Sequence, residues 1–134
     1  MQLTKFTDYG LRTLMYLASN PQRLCSVKEV SEYHDISRNH LVKIVLRLVE
    51  AGYISSFKGK GGGMQLAKPG NKIQLGEVIK LLEPNMTMVE CFDPATNTCR
   101  ITGSCNVKHY LYEASQSFIE TMNKHTLEDA ISTQ

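Results

Sequence analysis

The sequence contains no tryptophan and only 7% aromatic residues, although 42% of it is hydrophobic, which is enough for an ordinary core. It has no apolar run of about 18 residues, so no membrane-spanning helix is expected. The first eight residues lack the basic, apolar and cleavage regions of a signal peptide. We therefore expect a cytoplasmic chain, without a membrane partner, whose cysteines stay reduced.

The residue patterns typical of enzymes are also missing. The sequence shows no Ser/His/Asp arrangement, no paired carboxylates and no motif for binding a cofactor phosphate. The glycine-rich stretch at residues 59–63 lacks the G-x-x-x-x-G-K-[ST] order of a Walker loop, and no helix follows it directly. These absences argue against an enzyme.

Three of the four cysteines lie in one short segment, Cys91, Cys99 and Cys105, with the spacing C-x7-C-x5-C. Pro94 and the small polar residues around it favour turns over a regular helix or strand. Thiolates on such a loop can converge on one point, and they suit zinc, copper(I) or an iron–sulfur cluster. The segment therefore predicts a metal site, whereas Cys25 lies outside it and is expected to be a buried or free thiol.

Charge is distributed unevenly along the chain. Residues 1–72 carry eleven Lys and Arg against five Asp and Glu, whereas residues 73–134 carry four against eight. A basic N-terminal part beside an acidic C-terminal part suggests that the first part binds a polyanion. An unevenly charged but merely solvated surface is the alternative.

Helical spacing of apolar residues predicts three helices in the basic part of the chain. The first covers residues 4–19. The second opens with a capping box formed by Ser26 and Glu29 and ends at a short turn that begins at Asp35. Ser37 can cap a third helix with a continuous apolar stripe. Two short helices joined by a tight turn indicate a helix-turn-helix.

The third predicted helix carries polar side chains suited to contacting DNA. The N-terminal side chains of a recognition helix point at base edges in the major groove, and others reach phosphates. The candidates for these contacts are Ser37, Arg38, Asn39, His40, Lys43 and Arg47. An amphipathic surface helix with a polar outer face is the alternative.

A glycine-rich hairpin is predicted next. Residues 53–57 and 64–67 have strand character, and the loop between them is basic and flexible. Such a hairpin after a helix-turn-helix is a wing, in which glycine allows close approach to the DNA backbone and lysine supplies charge. The candidate contacts are Lys58, Lys60, Gly61 and Gly62. A hairpin that is flexible but binds nothing is the alternative.

Beyond the wing, residues 73–82 predict a short helix, and a longer helix follows Cys105. A long apolar stripe outside a small winged domain favours packing against a second copy of the chain, although folding back on its own core is the alternative. The predicted fold is mostly α with a small β-hairpin. It consists of a winged helix-turn-helix DNA-binding domain at residues 1–72, and a cysteine loop and dimerisation helix at residues 73–134.

Four stretches together resemble a known family over nearly the whole chain: residues 2–12, residues 37–43, the glycine-rich wing and the three-cysteine loop. They are similar to the bacterial NsrR/IscR winged-helix iron–sulfur regulators, most of all to the nitric-oxide-sensing type. The resemblance implies a homodimeric transcriptional repressor with one cluster per subunit, [4Fe-4S] rather than [2Fe-2S]. It further implies that operator affinity falls when nitric oxide nitrosylates the cluster.

The resemblance also implies a ligand set. Cys91, Cys99 and Cys105 match the cluster ligands, although most members have five residues between the first two cysteines and this chain has seven. Asp8 matches a position from which a carboxylate reaches the cluster of the partner subunit, but an Asp in the first turn of a helix is also favourable without any metal. His109 is the second candidate, offset by one residue from the histidine used in IscR.

Two alternative regulators fit the same residues. One is an IscR-like regulator that senses iron–sulfur status through a two-iron cluster. The other is a DNA-binding repressor whose three thiols bind zinc or respond to redox conditions.

Overall fold

Six α-helices and one antiparallel hairpin make up the part of the chain that this computed structural model describes, residues 1–132. In chain order they are α1 (Lys5–Ala18), α2 (Val27–His34), α3 (Arg38–Glu50), β1 (Ile54–Phe57), β2 (Gly63–Leu66), α4 (Leu75–Leu82), α5 (Asn106–Met122) and α6 (Leu127–Ile131). Short 3-10 turns occupy Gly70–Lys72, Glu90–Phe92 and Thr102–Ser104. The predicted fold class, a mostly helical winged helix, is confirmed.

Local sequence signals explain where four of the helices begin. Thr4, Ser26, Ser37 and Thr126 each accept a hydrogen bond from the backbone N–H three residues further on. These bonds satisfy N–H groups that have no partner within the helix.

The turn between α2 and α3 is compact. Asp35 ends α2 in the left-handed region, with φ 54°. The Ser31 hydroxyl donates a hydrogen bond to the Ile36 carbonyl at 2.6 Å, and the Ile36 N–H donates one to the Ser31 carbonyl. The predicted helix-turn-helix is present.

One hydrophobic core joins the winged helix to the segments that follow it. The inward face of α3 contributes Leu41, Ile44, Val45 and Leu48, all buried. The same core cluster contains residues of α4 and Leu127 of α6. Helices α4 and α6 therefore pack into the core of the winged helix. The division of the chain into two domains at residue 72 stays a prediction.

Helix α5 differs from the other long helices, because Ser115 is its one buried residue. Its contact with the rest of the chain is mainly with α4. None of the helices within residues 1–132 has the length and hydropathy needed to cross a membrane.

Candidate nucleic-acid interface and cysteine loop

The predicted recognition helix, α3, presents most of its predicted contact residues to solvent. Arg38, Asn39, Lys43 and Arg47 are exposed, and Arg47 lies 4.0 Å from the Glu50 carboxylate. Ser37 instead caps the helix, because its hydroxyl accepts the His40 N–H at 3.3 Å. Ser37, Arg38 and Asn39 lie at the start of α3, and Arg47 lies in its last turn.

His40 is the half-buried residue of the predicted set on α3. Its ring lies edge-on to Tyr9, with 5.4 Å between centroids, and 6.2 Å from the ring of Phe6. Both aromatic residues belong to α1, so His40 helps to fix the orientation of α3 on α1. A direct contact between His40 and DNA stays a prediction.

The wing is a short, regular hairpin with an exposed basic tip. Its register pairs Ile54 with Leu66 and Phe57 with Gly63. Lys58, Lys60 and Gly61 are exposed, and Gly61 has φ 80°.

The turn of the wing requires glycine at position 62. A Cβ atom at Gly62 would overlap the carbonyl oxygen of Phe57, so a side chain there would open the turn. The glycine-rich tip therefore keeps the hairpin tight and leaves the neighbouring lysines projecting into solvent.

A contact that the sequence did not reveal holds the second strand of the wing. Cys25 and Met64 exchange two backbone hydrogen bonds, of 2.9 and 2.8 Å, so the loop between α1 and α2 forms an isolated β-bridge with β2. The Cys25 side chain is fully buried and free, which confirms the prediction for this thiol, and burial raises its pKa.

The cysteine loop is braced by its own hydrogen bonds. The Asn97 amide group accepts the Cys99 N–H at 2.9 Å and donates to the Thr102 hydroxyl at 2.8 Å. The Thr98 hydroxyl donates to the Glu90 carboxylate at 3.0 Å. These bonds join the start of the loop to its middle, and its middle to Thr102.

The loop also contacts helix α5 directly. Phe92 lies edge-on to Tyr112 of α5, with 6.1 Å between ring centroids. Cys105 is the N-cap residue of α5. A displacement of the loop therefore acts on the start of that helix.

The three loop cysteines are free thiols, each half-buried. Their chemistry fits an iron–sulfur centre or zinc, because reduced thiols on a loop can supply soft ligands. Within residues 1–132, however, no three Cys, His, Asp or Glu side chains form a group that could hold a metal ion. A single chain in this conformation does not assemble the predicted site.

The two candidates for a fourth ligand lie outside the cysteine loop, on α1 and α5. The Asp8 carboxylate binds Arg12 on the next turn of α1 through two hydrogen bonds, of 3.0 and 2.8 Å, and both side chains are partly exposed. His109 is exposed on α5. Neither belongs to a metal-holding group with the cysteines in the described part of the chain.

Glu83 is a second feature that the sequence did not reveal. This residue follows α4 directly and precedes the segment that leads to the cysteines. Its carboxylate accepts the Thr4 N–H and the hydroxyl of Thr7 at the start of α1. It joins the beginning of α1 to the beginning of the cysteine segment.

Comparison with known proteins identifies the family to which this site belongs. The family model named Rrf2, described as an iron-dependent transcriptional regulator, matches residues 3–133. The chain belongs to the Rrf2 family. It is therefore a DNA-binding transcriptional regulator and not an enzyme, as the sequence predicted.

Solved structures of similar proteins show the same fold. CymR of Staphylococcus aureus in its oxidized form is 27% identical, with a TM-score of 0.79, over 100% of this chain and 98% of that one. The global cysteine regulator CymR of B. subtilis is 24% identical, with a TM-score of 0.80, over 100% and 99%. IscR of T. potens is 22% identical, with a TM-score of 0.76, over 98% and 86%. Similarity to the nitric-oxide-sensing type stays a prediction.

Proposed function

We propose that this Rrf2 protein is a homodimeric repressor that binds double-stranded operator DNA and senses nitric oxide through an iron–sulfur cluster. Cys91, Cys99 and Cys105 would hold the cluster, with [4Fe-4S] favoured. The proposal depends above all on the three free thiols of the loop between α4 and α5. That loop contacts α5, and the segment leading to it is bonded to α1, so a change there can be transmitted to the winged helix.

The DNA-binding part of the proposal is supported by charge and exposure. The exposed end of α3 and the lysines of the wing lie in the basic part of the sequence. Phosphate contacts from such residues position a protein on the duplex, and side chains on a recognition helix contact base edges. We propose that α3 enters the major groove while the wing lies along the neighbouring backbone.

Dimerisation is supported by the uncovered face of α5. Val107, Tyr110 and Phe118 are 59%, 63% and 37% exposed, which is unusual for large apolar side chains on a single long helix. A second copy of α5 would cover this face around a two-fold axis. In a dimer, the two recognition helices must match half-sites about 34–36 Å apart, or a multiple of that distance.

The fourth ligand is proposed to be Asp8 of the partner subunit, with His109 as the second candidate. Asp8 would have to leave the two hydrogen bonds that Arg12 now donates to it. When bound, the cluster would supply an iron that is open to a small diatomic molecule, because a carboxylate is a weaker ligand for iron than a thiolate.

Residues of the chain itself would transmit a change at the cluster to the recognition helices. If Asp8 moves between Arg12 and the partner subunit, the first turn of α1 moves with it. Tyr9, the next residue of α1, packs on His40 of α3. The spacing of the two recognition helices would then depend on the state of the cysteine loop, and a coupling of about 1–3 kcal/mol changes operator affinity about 5- to 150-fold.

The test is to purify the protein without oxygen and to measure visible absorption, iron content and operator affinity before and after adding nitric oxide. We expect a brown protein that bleaches and loses affinity. Serine replacement of each loop cysteine should abolish colour and response, whereas Cys25→Ser is the matched control. Unchanged affinity and gas response in all three loop variants would refute cluster sensing while leaving DNA binding intact.

A thiol-based regulator is the second candidate, because the three loop cysteines are free and the described residues form no metal-holding group of three side chains. A zinc-dependent regulator would use the same three thiols. This candidate predicts colourless protein whose operator affinity responds to peroxide or to a zinc chelator. An IscR-like regulator would instead be coloured, with the iron content and spectrum of a two-iron cluster.

A further inference from the structure

The outward face of α3 is not uniformly polar. Positions 39, 42, 43 and 46 recur at helical spacing and are all exposed. Asn39 and Lys43 are the polar members of this stripe, and Val42 and Leu46 are the apolar members. Val42 is 43% exposed and Leu46 is 56% exposed.

Core packing does not explain this apolar pair. The opposite side of α3 supplies four buried residues, and they close the helix against the rest of the domain. A single exposed aliphatic residue on a protein surface needs no explanation. Two of them, one turn apart on the face of a helix that is otherwise polar, indicate that something covers them.

The surroundings favour DNA as the partner. The stripe starts beside Arg38, and Lys43 lies between its two apolar members along the chain. The tip of the wing adds two further exposed lysines. An apolar protein partner would meet the cations of α3, whereas a DNA duplex complements their charge.

The major groove offers an apolar group for such side chains. Each thymine places its C5-methyl group there, and aliphatic side chains distinguish thymine by contacting it. Val42 and Leu46 are one turn apart on α3, so they can reach methyl groups on neighbouring base pairs.

We propose that Val42 and Leu46 are specificity-determining residues that recognise thymine methyl groups in the major groove of each half-site. This inference rests on the proposed use of α3 as the recognition helix. It assigns part of the base preference to apolar contacts and leaves Asn39 and Lys43 to hydrogen-bond neighbouring bases or phosphates.

The experiment uses the full chain and a duplex selected from a pool with a randomised centre. Each thymine of the selected duplex is then replaced singly by deoxyuridine, which removes only the methyl group. At one or two positions per half-site, we expect the wild-type protein to bind about fourfold more weakly, the effect of one buried methyl group. Val42→Ala and Leu46→Ala should each abolish the penalty at a particular position.

Lys43→Ala is the matched control in the same helix. It should weaken binding to every duplex and leave the uracil penalty unchanged. A wild-type protein that binds all uracil duplexes as tightly as thymine duplexes overturns the inference, and so does a penalty that survives in both alanine variants. If no duplex is enriched, or if Lys43→Ala has no effect, the proposed use of α3 fails together with the inference.

Discussion

The carboxylate of Glu83 accepts the backbone N–H of Thr4, with Thr4 N lying 3.2 Å from one carboxylate oxygen and 3.3 Å from the other. Thr4 is the N-cap residue of α1, and Glu83 is the residue at which α4 ends. A negative charge at a helix N-terminus stabilises the helix. One side chain therefore stabilises α1 and ties it to the segment that leads to the cysteines.

Replacing Glu83 with alanine should destabilise the protein by about 1–3 kcal/mol, because Thr7 is fully buried and its hydroxyl donates to Glu83. Urea unfolding measures this loss. Glu32→Ala, at an exposed site on α2, is the control and should change the free energy of unfolding little. Equal stability of the two variants would show that the Glu83 contacts do not stabilise the fold.

Acid should weaken α2 through Glu29. The Arg23 guanidinium, which donates a hydrogen bond at 2.9 Å, lowers the pKa of this carboxyl from 4.5 to about 2, with help from the Ser26 N–H and the Tyr16 hydroxyl. Because the folded-state pKa is the lower one, the stabilisation is complete above about pH 4.5 and disappears as pH falls towards 2.

The measurement is the melting temperature as a function of pH for Glu29→Gln and the wild-type protein. The variant should melt lower at neutral pH and lose less stability between pH 4.5 and pH 2. Glu32→Gln is the control in the same helix and should follow the wild-type curve. Parallel curves for Glu29→Gln and the wild type would contradict the assigned role.

Local chemistry explains what could be predicted from the sequence. The Ser26–Glu29 capping box and the Ser37 cap act over three residues, so their spacing reveals where α2 and α3 begin. The glycines of the wing likewise act through their own backbone. These signals need no knowledge of the tertiary fold.

The contacts that were missed join residues far apart in the chain. Cys25 pairs with Met64, and Glu83 binds Thr4. His40 looked like a free polar residue at the start of α3, yet it packs on Tyr9. No spacing rule reveals such pairs, because they form only once the helices have packed. The cysteine spacing predicted a metal site, but the positions of the ligands depend on the loop conformation and on a second subunit.

The crossing of α4 and α5 depends on Gly76. A Cβ atom there would lie 2.7 Å from the carbonyl oxygen of Ile119 and would overlap the side chain of Asn123. A backbone oxygen cannot move unless α5 shifts, so Gly76→Ala should cost about 1–3 kcal/mol in the free energy of unfolding. Gly103→Ala is the control, since a Cβ atom there meets nothing within 4 Å. A fully stable Gly76→Ala protein would mean that the two helices do not cross so closely.

Alkylation should separate the four thiols into two classes. In folded, chelator-treated protein we expect three rapid adducts with iodoacetamide, at Cys91, Cys99 and Cys105, because each of these free thiols is partly exposed. Cys25 should react only as the protein unfolds, because its side chain is 0% exposed and burial raises its pKa. Mass spectrometry counts the adducts over time.

Cys25→Ser and urea-unfolded protein are the controls for that count. The variant should give the same three rapid adducts, and the unfolded wild type should give four. A fourth adduct formed as fast as the others in folded protein would show that the wing separates readily from the α1–α2 loop. If Cys25 is protected as expected, any thiol chemistry by which an oxidant or nitric oxide changes DNA affinity without unfolding the protein must take place at the loop cysteines or at a centre bound there.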